Sequence, residues 1–219
     1  MSHISQPEPK AGAAMKEKPT GPDREDLAWE LLKTEHVIRD EWFDVRRCTY
    51  RFPDGTVFEP YYSYSKRDYV VIVATDESGN YICVRQFRQG INRVTTEFAA
   101  GGLERSGQTL AGPAEVPFTL EEAMAAARRE LREETGYESD QWTYLMKVPA
   151  NATISDNTAF LYMAENCRKV AAQDLDETEF LHVEVLSPEK LERRIRSGRF
   201  EQTDHILAWY MARERKQQK

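Results

Sequence analysis

The chain has 219 residues, 40% of them hydrophobic and 31% charged. This length and composition fit one domain with an appendage, or two small domains, and are sufficient for a hydrophobic core. The formal net charge of −7 argues against broad binding to nucleic acid or to an anionic membrane surface, because both require basic patches. A protein this acidic that acted on phosphates would need a cation between them.

The cysteines and the apolar segments indicate the cellular compartment. Cys48, Cys83 and Cys167 are far apart and form no CxxC pair, so we expect buried thiols in a reducing cytosol rather than disulfides or a zinc site. The N-terminus has no apolar h-region, which argues against a signal peptide. The longest purely aliphatic stretch, residues 70–74, is far too short to cross a bilayer. We therefore expect a soluble, cytoplasmic protein.

Three regions follow one another along the chain. Residues 1–25 are rich in Pro, Gly, Ala, Ser and Lys without periodic apolar positions, which predicts a disordered arm. Residues 26–66 are expected to form a small antiparallel sheet, because the pattern from Trp42 to Tyr64 is strand-like and Phe52–Thr56 has hairpin turn chemistry. Residues 67–215 form the main domain.

The main domain opens with strands. A hairpin is predicted from Val70–Thr75 through a turn at Asp76–Asn80 and back along Tyr81–Phe87. Arg93–Phe98 is a further strand, which ends at Gly101 and Gly102. Residues 104–118 contain several Pro and Gly residues and no periodicity, which predicts a long loop.

A helix begins after this loop. Thr119 and Glu122 have the spacing of a capping box, and Gly136 stands where a glycine would end the helix. Strands are then predicted at Thr158–Ala164 and Phe180–Leu186.

Two more helices complete the chain. Ser187 and Pro188 open the first of them, which stops at Gly198. The last helix runs from Asp204 to about Arg215, with an apolar face formed by Ile206, Leu207, Tyr210 and Met211.

Three carboxylates share one face of the helix that Thr119 opens. Glu130, Glu133 and Glu134 are related by steps of three and four residues, so they are neighbours on a helix and repel one another. Arg129, four residues before Glu133, relieves part of that repulsion. The remaining charge suits Mg²⁺, which carboxylates hold together with substrate phosphates. The alternative is an ordinary solvated helix face.

The segment Arg129–Tyr137, which seven residues separate from Glu121, resembles the second half of the Nudix box. That motif reads Gly, five residues, Glu, seven residues, then Arg-Glu-U-x-Glu-Glu-x-Gly-U, where U is apolar. The leading glycine departs from the pattern, because Glu115 stands in its place and the nearest equivalent is Gly102. Eighteen residues separate Gly102 from Glu121 instead of five, which we interpret as a thirteen-residue insertion in the strand-to-helix loop.

Two upstream stretches extend the resemblance, which spans roughly Trp42 to Leu207. Val84–Arg88 and Glu97–Gly102 resemble the Gln-Phe/Tyr-Arg and Glu-Phe/Leu-Pro-Ala-Gly signatures of ADP-ribose pyrophosphatases, with Ala99 in place of the usual proline. Those enzymes often carry a proline after the box where this sequence has Ile154. The departure leaves GDP-mannose or NADH open as substrates beside ADP-ribose.

The resemblance implies the Nudix fold, an α/β/α sandwich with a mixed central sheet, preceded by a small N-terminal antiparallel sheet. In relatives that small sheet is exchanged between two subunits, so a homodimer is expected. The resemblance also implies Mg²⁺ as the metal, with Mn²⁺ as an alternative.

The resemblance further implies roles for individual residues. The backbone carbonyl of Ala100 and the carboxylates of Glu130 and Glu134 would coordinate the metal, and Glu133 would share a metal or orient the catalytic groups. Arg88 would contact the diphosphate or the terminal ribose, as its forked donors suit phosphate oxygens. Glu97 would contact the substrate or support a residue that does.

The general base and the nucleotide contacts are expected elsewhere. In this family the base commonly comes from a loop carboxylate after the box, and Glu177 and Glu179 are both candidates. Trp42 and Tyr61 are candidates for stacking on the base, although a tryptophan at a strand start more often belongs to a core.

The implied function is Mg²⁺-dependent hydrolysis of the diphosphate of a nucleoside-diphosphate sugar, with ADP-ribose as the leading candidate substrate and AMP and ribose 5-phosphate as products. A non-catalytic sensor of ADP-ribose-like ligands is an alternative from a different class. Nucleic-acid decapping would need a basic groove, which the net charge disfavours.

Overall fold

A computed structural model describes residues 27–40, 42–104, 116–177 and 179–218. The predicted disordered arm lies outside the described residues, as does most of the predicted loop at 104–118. Two compact units are formed, the first by residues 27–34 and 48–61 and the second by residues 35–47 and 62 onward. In the part of the chain that is described, no helix is long and apolar enough to span a membrane.

The small N-terminal sheet has three strands in the order β1-β2-β3, namely β1 (Glu30–Arg39), β2 (Asp44–Arg51) and β3 (Val57–Ser65). The predicted turn between β2 and β3 is present. The Phe52 N–H donates to the Thr56 carbonyl at 2.8 Å, and Gly55 has a φ of +90°, which glycine adopts without steric cost. Each of the three strands contributes residues to both compact units.

The larger sheet is mixed. Its central path is β11-β5-β4-β10-β8, with β6 paired to β5, β7 to β4 and β9 to β10. Strands β4 and β10 are parallel, and the other described pairs are antiparallel. The strands are β4 (Tyr69–Asp76), β5 (Tyr81–Arg88), β6 (Arg93–Glu97), β7 (Ala99–Gly102), β8 (Tyr137–Glu138), β9 (Gln141–Pro149), β10 (Thr158–Lys169) and β11 (Leu181–Leu186).

The predicted hairpin of the main domain is confirmed as β4 and β5. Asp76 closes the turn between them, because its Oδ1 accepts from the N–H groups of Ser78 and Asn80 at 2.9 and 2.8 Å. Gly79 supplies the positive φ of +80° that the turn requires. The side-chain chemistry of this turn therefore sets the register of the two strands.

Three helices complete the fold, α1 (Leu120–Thr135), α2 (Pro188–Arg196) and α3 (Thr203–Gln217). Both halves of the predicted capping box are formed at α1 by Thr119 and Glu122, and Gly136 ends the helix with a φ of +74°. Ser187 caps α2, with Pro188 in its first turn. That helix stops two residues before Gly198.

The helices cover both faces of the larger sheet. Alternate residues of a strand point to opposite faces, and β4 shows this directly. Val70 and Ile72 pack with the core that includes Leu131 of α1, whereas Val71 and Val73 pack with the core that includes Leu191 of α2 and Trp209 and Ala212 of α3. The α/β/α sandwich with a small antiparallel sheet is therefore confirmed.

The predicted apolar face of α3 is confirmed at Ile206, Leu207 and Met211, which are partly buried and pack against the core that includes Trp209, and is wrong at Tyr210. The side chains buried along this helix are those of His205, Ala208, Trp209 and Ala212, whereas Tyr210 is 53% exposed. Residues 206–211 are all apolar or aromatic, so their pattern fits more than one helical stripe. Packing against the sheet selects the stripe that carries the two small alanines.

The cysteine prediction is confirmed in the described residues. Cys48, Cys83 and Cys167 are all buried, and none of the three forms a disulfide. Burial raises the pKa of the Cys167 thiol to about 11, so the thiol stays protonated and unreactive at neutral pH.

Candidate active site

The helix α1 and the strand β7 bring two carboxylates together in the interior. Glu134 is 2% exposed and Glu130 is 6% exposed. The Ala100 N–H of β7 donates to Glu134 Oε2 at 3.1 Å. Ala123, Ala127 and Leu131 of α1 are fully buried against the sheet, which fixes the helix face that carries both carboxylates.

Gly101 leaves the space that Glu130 occupies. A Cβ atom at this position would lie 2.0 Å from the Glu130 carboxyl carbon and 2.2 Å from both of its oxygens. Any side chain at this position would displace the end of Glu130, so the backbone of β7 forms a cradle for this carboxylate. Glycine at position 101 of the predicted Glu97–Gly102 signature is therefore explained by the room that Glu130 needs.

The two buried carboxylates resist ionisation. Burial raises the pKa of Glu130 to about 7, with Arg129 opposing the shift and the charges of Glu133 and Glu179 adding to it. Burial also raises the pKa of Glu134 well above its ordinary value, and the charges of Glu130 and Glu179 raise it further. A nearby positive charge would stabilise the ionised form of both carboxylates.

Arg129 supplies part of that positive charge. Its guanidinium bonds the Glu133 carboxylate at 2.6 Å, four residues along the helix, and also reaches Glu130. It contacts the Gly102 carbonyl at 3.3 Å as well. One guanidinium is therefore shared by two of the three predicted metal carboxylates, and Glu134 receives none of its hydrogen bonds.

The segment after β10 is tied to the end of α1. The N–H groups of Val170 and Ala171 donate to the Gly136 carbonyl at 2.9 and 3.2 Å. The Asp174 N–H bonds the Glu133 carbonyl at 2.9 Å, and the Gln173 amide bonds the Glu134 carbonyl at 2.6 Å. These bonds hold the acidic segment that carries both predicted bases beside the buried carboxylates.

The two predicted bases differ in their surroundings. Glu179 is half-buried, and its charge reaches both Glu130 and Glu134. Its N–H donates to the Asp176 carbonyl at 2.9 Å. Glu177 is exposed. The structure thus brings Glu179, but not Glu177, into electrostatic contact with the buried carboxylates.

Arg88 and Glu97 form a second element of the site. The Arg88 Nε donates to both Glu97 oxygens, at 2.9 and 3.1 Å, and Glu97 is fully buried. Burial opposes the charged form of Glu97, but the hydrogen bonds and charge of Arg88 hold its pKa below the usual value. The charge of Arg88 also lowers the pKa of Glu134, which joins this pair to the carboxylates of α1.

Residues that the sequence did not indicate support this pair. The Thr95 hydroxyl bonds Glu97, and the Gln202 amide contacts it at 3.4 Å. His205 accepts from the Phe98 N–H through Nδ1 at 3.1 Å, and burial lowers its pKa to about 4, so its ring is neutral. Gln202 and His205 stand more than 100 residues from Glu97, and no motif relates them to it.

The two predicted stacking residues have different surroundings. Trp42 is 60% exposed in the turn between β1 and β2, where its N–H donates to Asp40 Oδ1 at 2.8 Å. None of the contacts described for Trp42 joins it to the carboxylates. Tyr61 is half-buried in the first unit and makes edge-to-face ring contacts with Trp29 and Tyr50 at 5.8 and 5.7 Å.

The buried carboxylates fit a divalent cation. Their pKa values are raised and the cradle at Gly101 seats one of them, so an added positive charge would stabilise both. Among the described residues, no three acidic, histidine or cysteine side chains converge closely enough to surround an ion by themselves. Mg²⁺ commonly takes one or two carboxylates and completes its shell with water and substrate phosphates, which agrees with this donor set.

Comparisons with known proteins agree on the family. The family model for the NUDIX domain matches residues 65–210. A methanol dehydrogenase activator of Bacillus methanolicus is 25% identical over 186 residues, which is 82% of this chain and 89% of that protein.

Two relatives are named ADP-ribose pyrophosphatase. The protein from Bacillus subtilis (strain 168) is 30% identical over 115 residues, 52% of this chain and 55% of its own length. The protein from Mycobacterium tuberculosis (strain ATCC 25618 / H37Rv) is 30% identical over 144 residues, 65% of this chain and 62% of its own length. The chain therefore spans less than two thirds of each of these two relatives.

A solved structure shares the fold. The crystal structure of an ADP compounds hydrolase has a TM-score of 0.68 and covers 85% of this chain and 92% of its own, with 22% sequence identity. At that identity the likeness shows the fold alone. Because the NUDIX model covers more than half of the sequence, the chain belongs to the Nudix family.

Proposed function

We propose that this Nudix protein is a Mg²⁺-dependent hydrolase of a nucleoside-diphosphate sugar, with ADP-ribose as the leading substrate and AMP and ribose 5-phosphate as products. The burial of Glu130 and Glu134 side by side, with raised pKa values, carries the proposal. Burying two neighbouring carboxylates costs free energy, and a cation that binds substrate phosphates would offset that cost.

The metal ligands that we propose are the Ala100 carbonyl and the carboxylates of Glu130 and Glu134, with Glu133 sharing a metal or orienting its neighbours. Glu133 is only half-buried and is bonded to Arg129, so it can share a metal or orient its neighbours. When bound, Mg²⁺ or Mn²⁺ neutralises the diphosphate and lowers the pKa of a coordinated water. Arg129 balances the charge of Glu130 and Glu133 when no cation is present.

Glu179 is our preferred general base. It must take a proton from the attacking water, and a carboxylate within electrostatic reach of Glu130 and Glu134 satisfies that requirement. Glu177, which is exposed, remains the second candidate. Loss of turnover in Glu179→Gln but not in Glu177→Gln would support this choice, and the reverse result would transfer the role.

Arg88 is proposed to bind the diphosphate or the terminal ribose. Both Glu97 oxygens accept from its Nε, which presets the orientation of its planar donors toward phosphate oxygens. Glu97 would thus orient Arg88 or contact the substrate itself. Trp42, whose ring is largely exposed, and Tyr61 are proposed to stack on the base.

We also propose that the protein is a homodimer through residues 26–66. Strands β1 and β3 expose several large apolar side chains, and unpartnered apolar surface of this kind marks association sites. Those 38% or more exposed are Leu31, Leu32, Val37, Ile38, Val57, Phe58 and Tyr62. Sedimentation is expected to give twice the mass of one chain. A monomer at micromolar concentration would remove the idea of a site shared between subunits.

A second candidate function is regulation of another enzyme. The relative named methanol dehydrogenase activator matches 89% of its own length, which is more complete than either pyrophosphatase match. By that likeness, this chain would bind a partner enzyme and raise the activity of that enzyme. A variant that lacks turnover but still activates a partner would favour a binding role over hydrolysis.

A substrate panel tests the proposal. Purified protein with Mg²⁺ is incubated with ADP-ribose, GDP-mannose, NADH and a nucleoside triphosphate, and products are separated by chromatography. We expect ADP-ribose to be cleaved fastest, to AMP and ribose 5-phosphate. Faster cleavage of GDP-mannose or NADH would keep the reaction and change the substrate, whereas tight binding without cleavage would favour a sensor.

A further inference from the structure

A groove lined by arginines lies away from the candidate active site. Its volume is about 450 Å³. The residues that line it are Arg85, Arg93, Val94, Thr96, Arg194, Gly198, Arg199 and Glu201. We call it the arginine groove. It is formed by β5, β6, the C-terminal part of α2 and the connection from α2 to α3.

The arginine groove lies on the opposite face of the larger sheet from the carboxylates. Cys83 of β5 packs in the core beneath α2 and α3, and Arg85, two residues on, points to the same face. Thr96 pairs with Arg85 across the strands and bonds Arg194 of α2. Glu97, the next residue, points to the other face. One strand thus separates the arginine groove from the Arg88–Glu97 pair.

Positive charge in the arginine groove exceeds negative charge. Glu184 is engaged by both terminal nitrogens of Arg194, each at 2.6 Å, and Glu201 accepts from Arg93 Nε at 3.0 Å. The other two guanidiniums have weaker partners. Arg85 lies 4.0 Å from Glu184, and within the described residues the Arg199 guanidinium bonds only the Ser197 hydroxyl, at 3.3 Å.

Two guanidiniums are therefore left to bind an anion. Planar, weakly hydrated guanidinium groups suit phosphate oxygens in particular. The volume is within the range of small-ligand pockets, and Val94, 54% exposed, adds an apolar wall. A chain of net charge −7 repels a long polyanion over most of its surface, whereas a small anion meets only the local charge.

We propose that the arginine groove binds a small organic phosphate ester, such as a sugar monophosphate. Arg85 and Arg199 supply the phosphate contacts. Arg93 and Arg194 stay bonded to their carboxylates and form the walls. The binding is independent of the metal, since the Glu130 and Glu134 carboxylates lie on the other face of the sheet.

Calorimetric titration with glucose 6-phosphate tests the proposal. The full chain is used in EDTA and low salt, because without a divalent cation the carboxylates of the active site repel phosphate. The variant Arg85→Gln/Arg199→Gln removes both free guanidiniums and no close ion pair. The variant Arg168→Gln/Arg215→Gln removes the same charge from exposed positions elsewhere. Val94→Glu is a second groove variant that adds a negative charge at an exposed position.

We expect the sugar phosphate to bind the unaltered chain and neutral glucose not to bind. Affinity should fall about tenfold or more in both groove variants, as expected for lost charge-assisted contacts, and stay within twofold in the control variant. Equal affinity in the groove and control variants would overturn the proposal, as would no binding to the unaltered chain. Tighter binding of a polyglutamate peptide would instead make the groove a protein-docking surface and likewise overturn it.

Discussion

The protonation of Glu130 makes the stability of the folded, metal-free chain depend on pH. Its folded-state pKa is about 7, against an ordinary value of 4.5. Between these two values the folded chain binds more protons than the unfolded chain, so stability falls as pH rises. The contribution is fully present below about pH 4.5 and is lost as the pH passes through 7.

We therefore predict that Glu130→Gln flattens the pH dependence of stability in metal-free protein. The free energy of unfolding, measured in urea with EDTA from pH 5 to pH 8, should fall more steeply in the unaltered chain. Over this pH range the change in the free energy of unfolding should differ between the two proteins by at most about 3 kcal/mol. Added Mg²⁺ should reduce it, because a bound cation stabilises the ionised carboxylate. Parallel curves for the two proteins would show that Glu130 titrates normally.

Gly101 offers a test of the cradle for this carboxylate. In Gly101→Ala the new Cβ would lie 2.0 Å from the Glu130 carboxyl carbon, so the end of that side chain must move. We predict a loss of turnover on the order of 100-fold, as small misplacements of catalytic groups cost, with little change in thermal stability. Gly90→Ala is the control, since a Cβ there meets nothing within 4 Å. Equal activity of the two variants would show that the cradle at Gly101 does not affect turnover.

At the scale of elements, the end of α1 holds the site together. The Gly136 carbonyl accepts from Val170 and Ala171, and the segment that follows reaches the carbonyls of Glu133 and Glu134. The helix that carries the carboxylates and the segment that carries Glu179 are thus fastened at one point. A disturbance there should affect stability and the position of the base together.

A comparison of Gly136→Ala with Gly198→Ala separates two ways in which replacing a glycine lowers stability, namely backbone strain and a steric clash. Both residues have positive φ, +74° and +68°, and this alone costs alanine about 1–2 kcal/mol. A Cβ at Gly136 would also meet the Ala171 carbonyl oxygen at 2.2 Å, whereas one at Gly198 meets nothing. We predict a clearly larger loss of unfolding free energy for Gly136→Ala, measured in urea. Equal losses would mean that the segment after β10 moves away from the new Cβ without a measurable cost in free energy.

Elements with local signals could be predicted from the sequence, and those without could not. The capping box and C-terminal glycine bounded α1, and turn chemistry at Asp76–Asn80 located the β4–β5 hairpin. No local signal marks the bounds of β1 or β9. Apolar residues occur as adjacent pairs in β1, and every residue of that strand is exposed, so no alternation marks it. Pairing with β10 along its length determines β9, which is a tertiary effect.

At the scale of the whole molecule, the sequence indicated the site only in part. The spacing of Glu130, Glu133 and Glu134 predicted one helix face, and the structure buries two of them against β7. Neither the burial of Glu97 beneath Gln202 nor the proximity of Glu179 to Glu134 follows from spacing, because both depend on how the sheet brings distant segments together. The arginine groove likewise draws on residues from 85 to 201.

Diphosphate hydrolysis by this chain requires that the carboxylates of α1 bind a divalent cation. Calorimetric titration of Mn²⁺, with a non-hydrolysable ADP-ribose analogue present, tests it most directly, using the unaltered chain, Glu134→Gln, and Glu214→Gln as an exposed control. We predict binding to the unaltered chain and the control, and at least about tenfold weaker binding to Glu134→Gln, as loss of a charged ligand implies. Equal Mn²⁺ affinity in all three proteins, or no binding to the unaltered chain, would contradict the account.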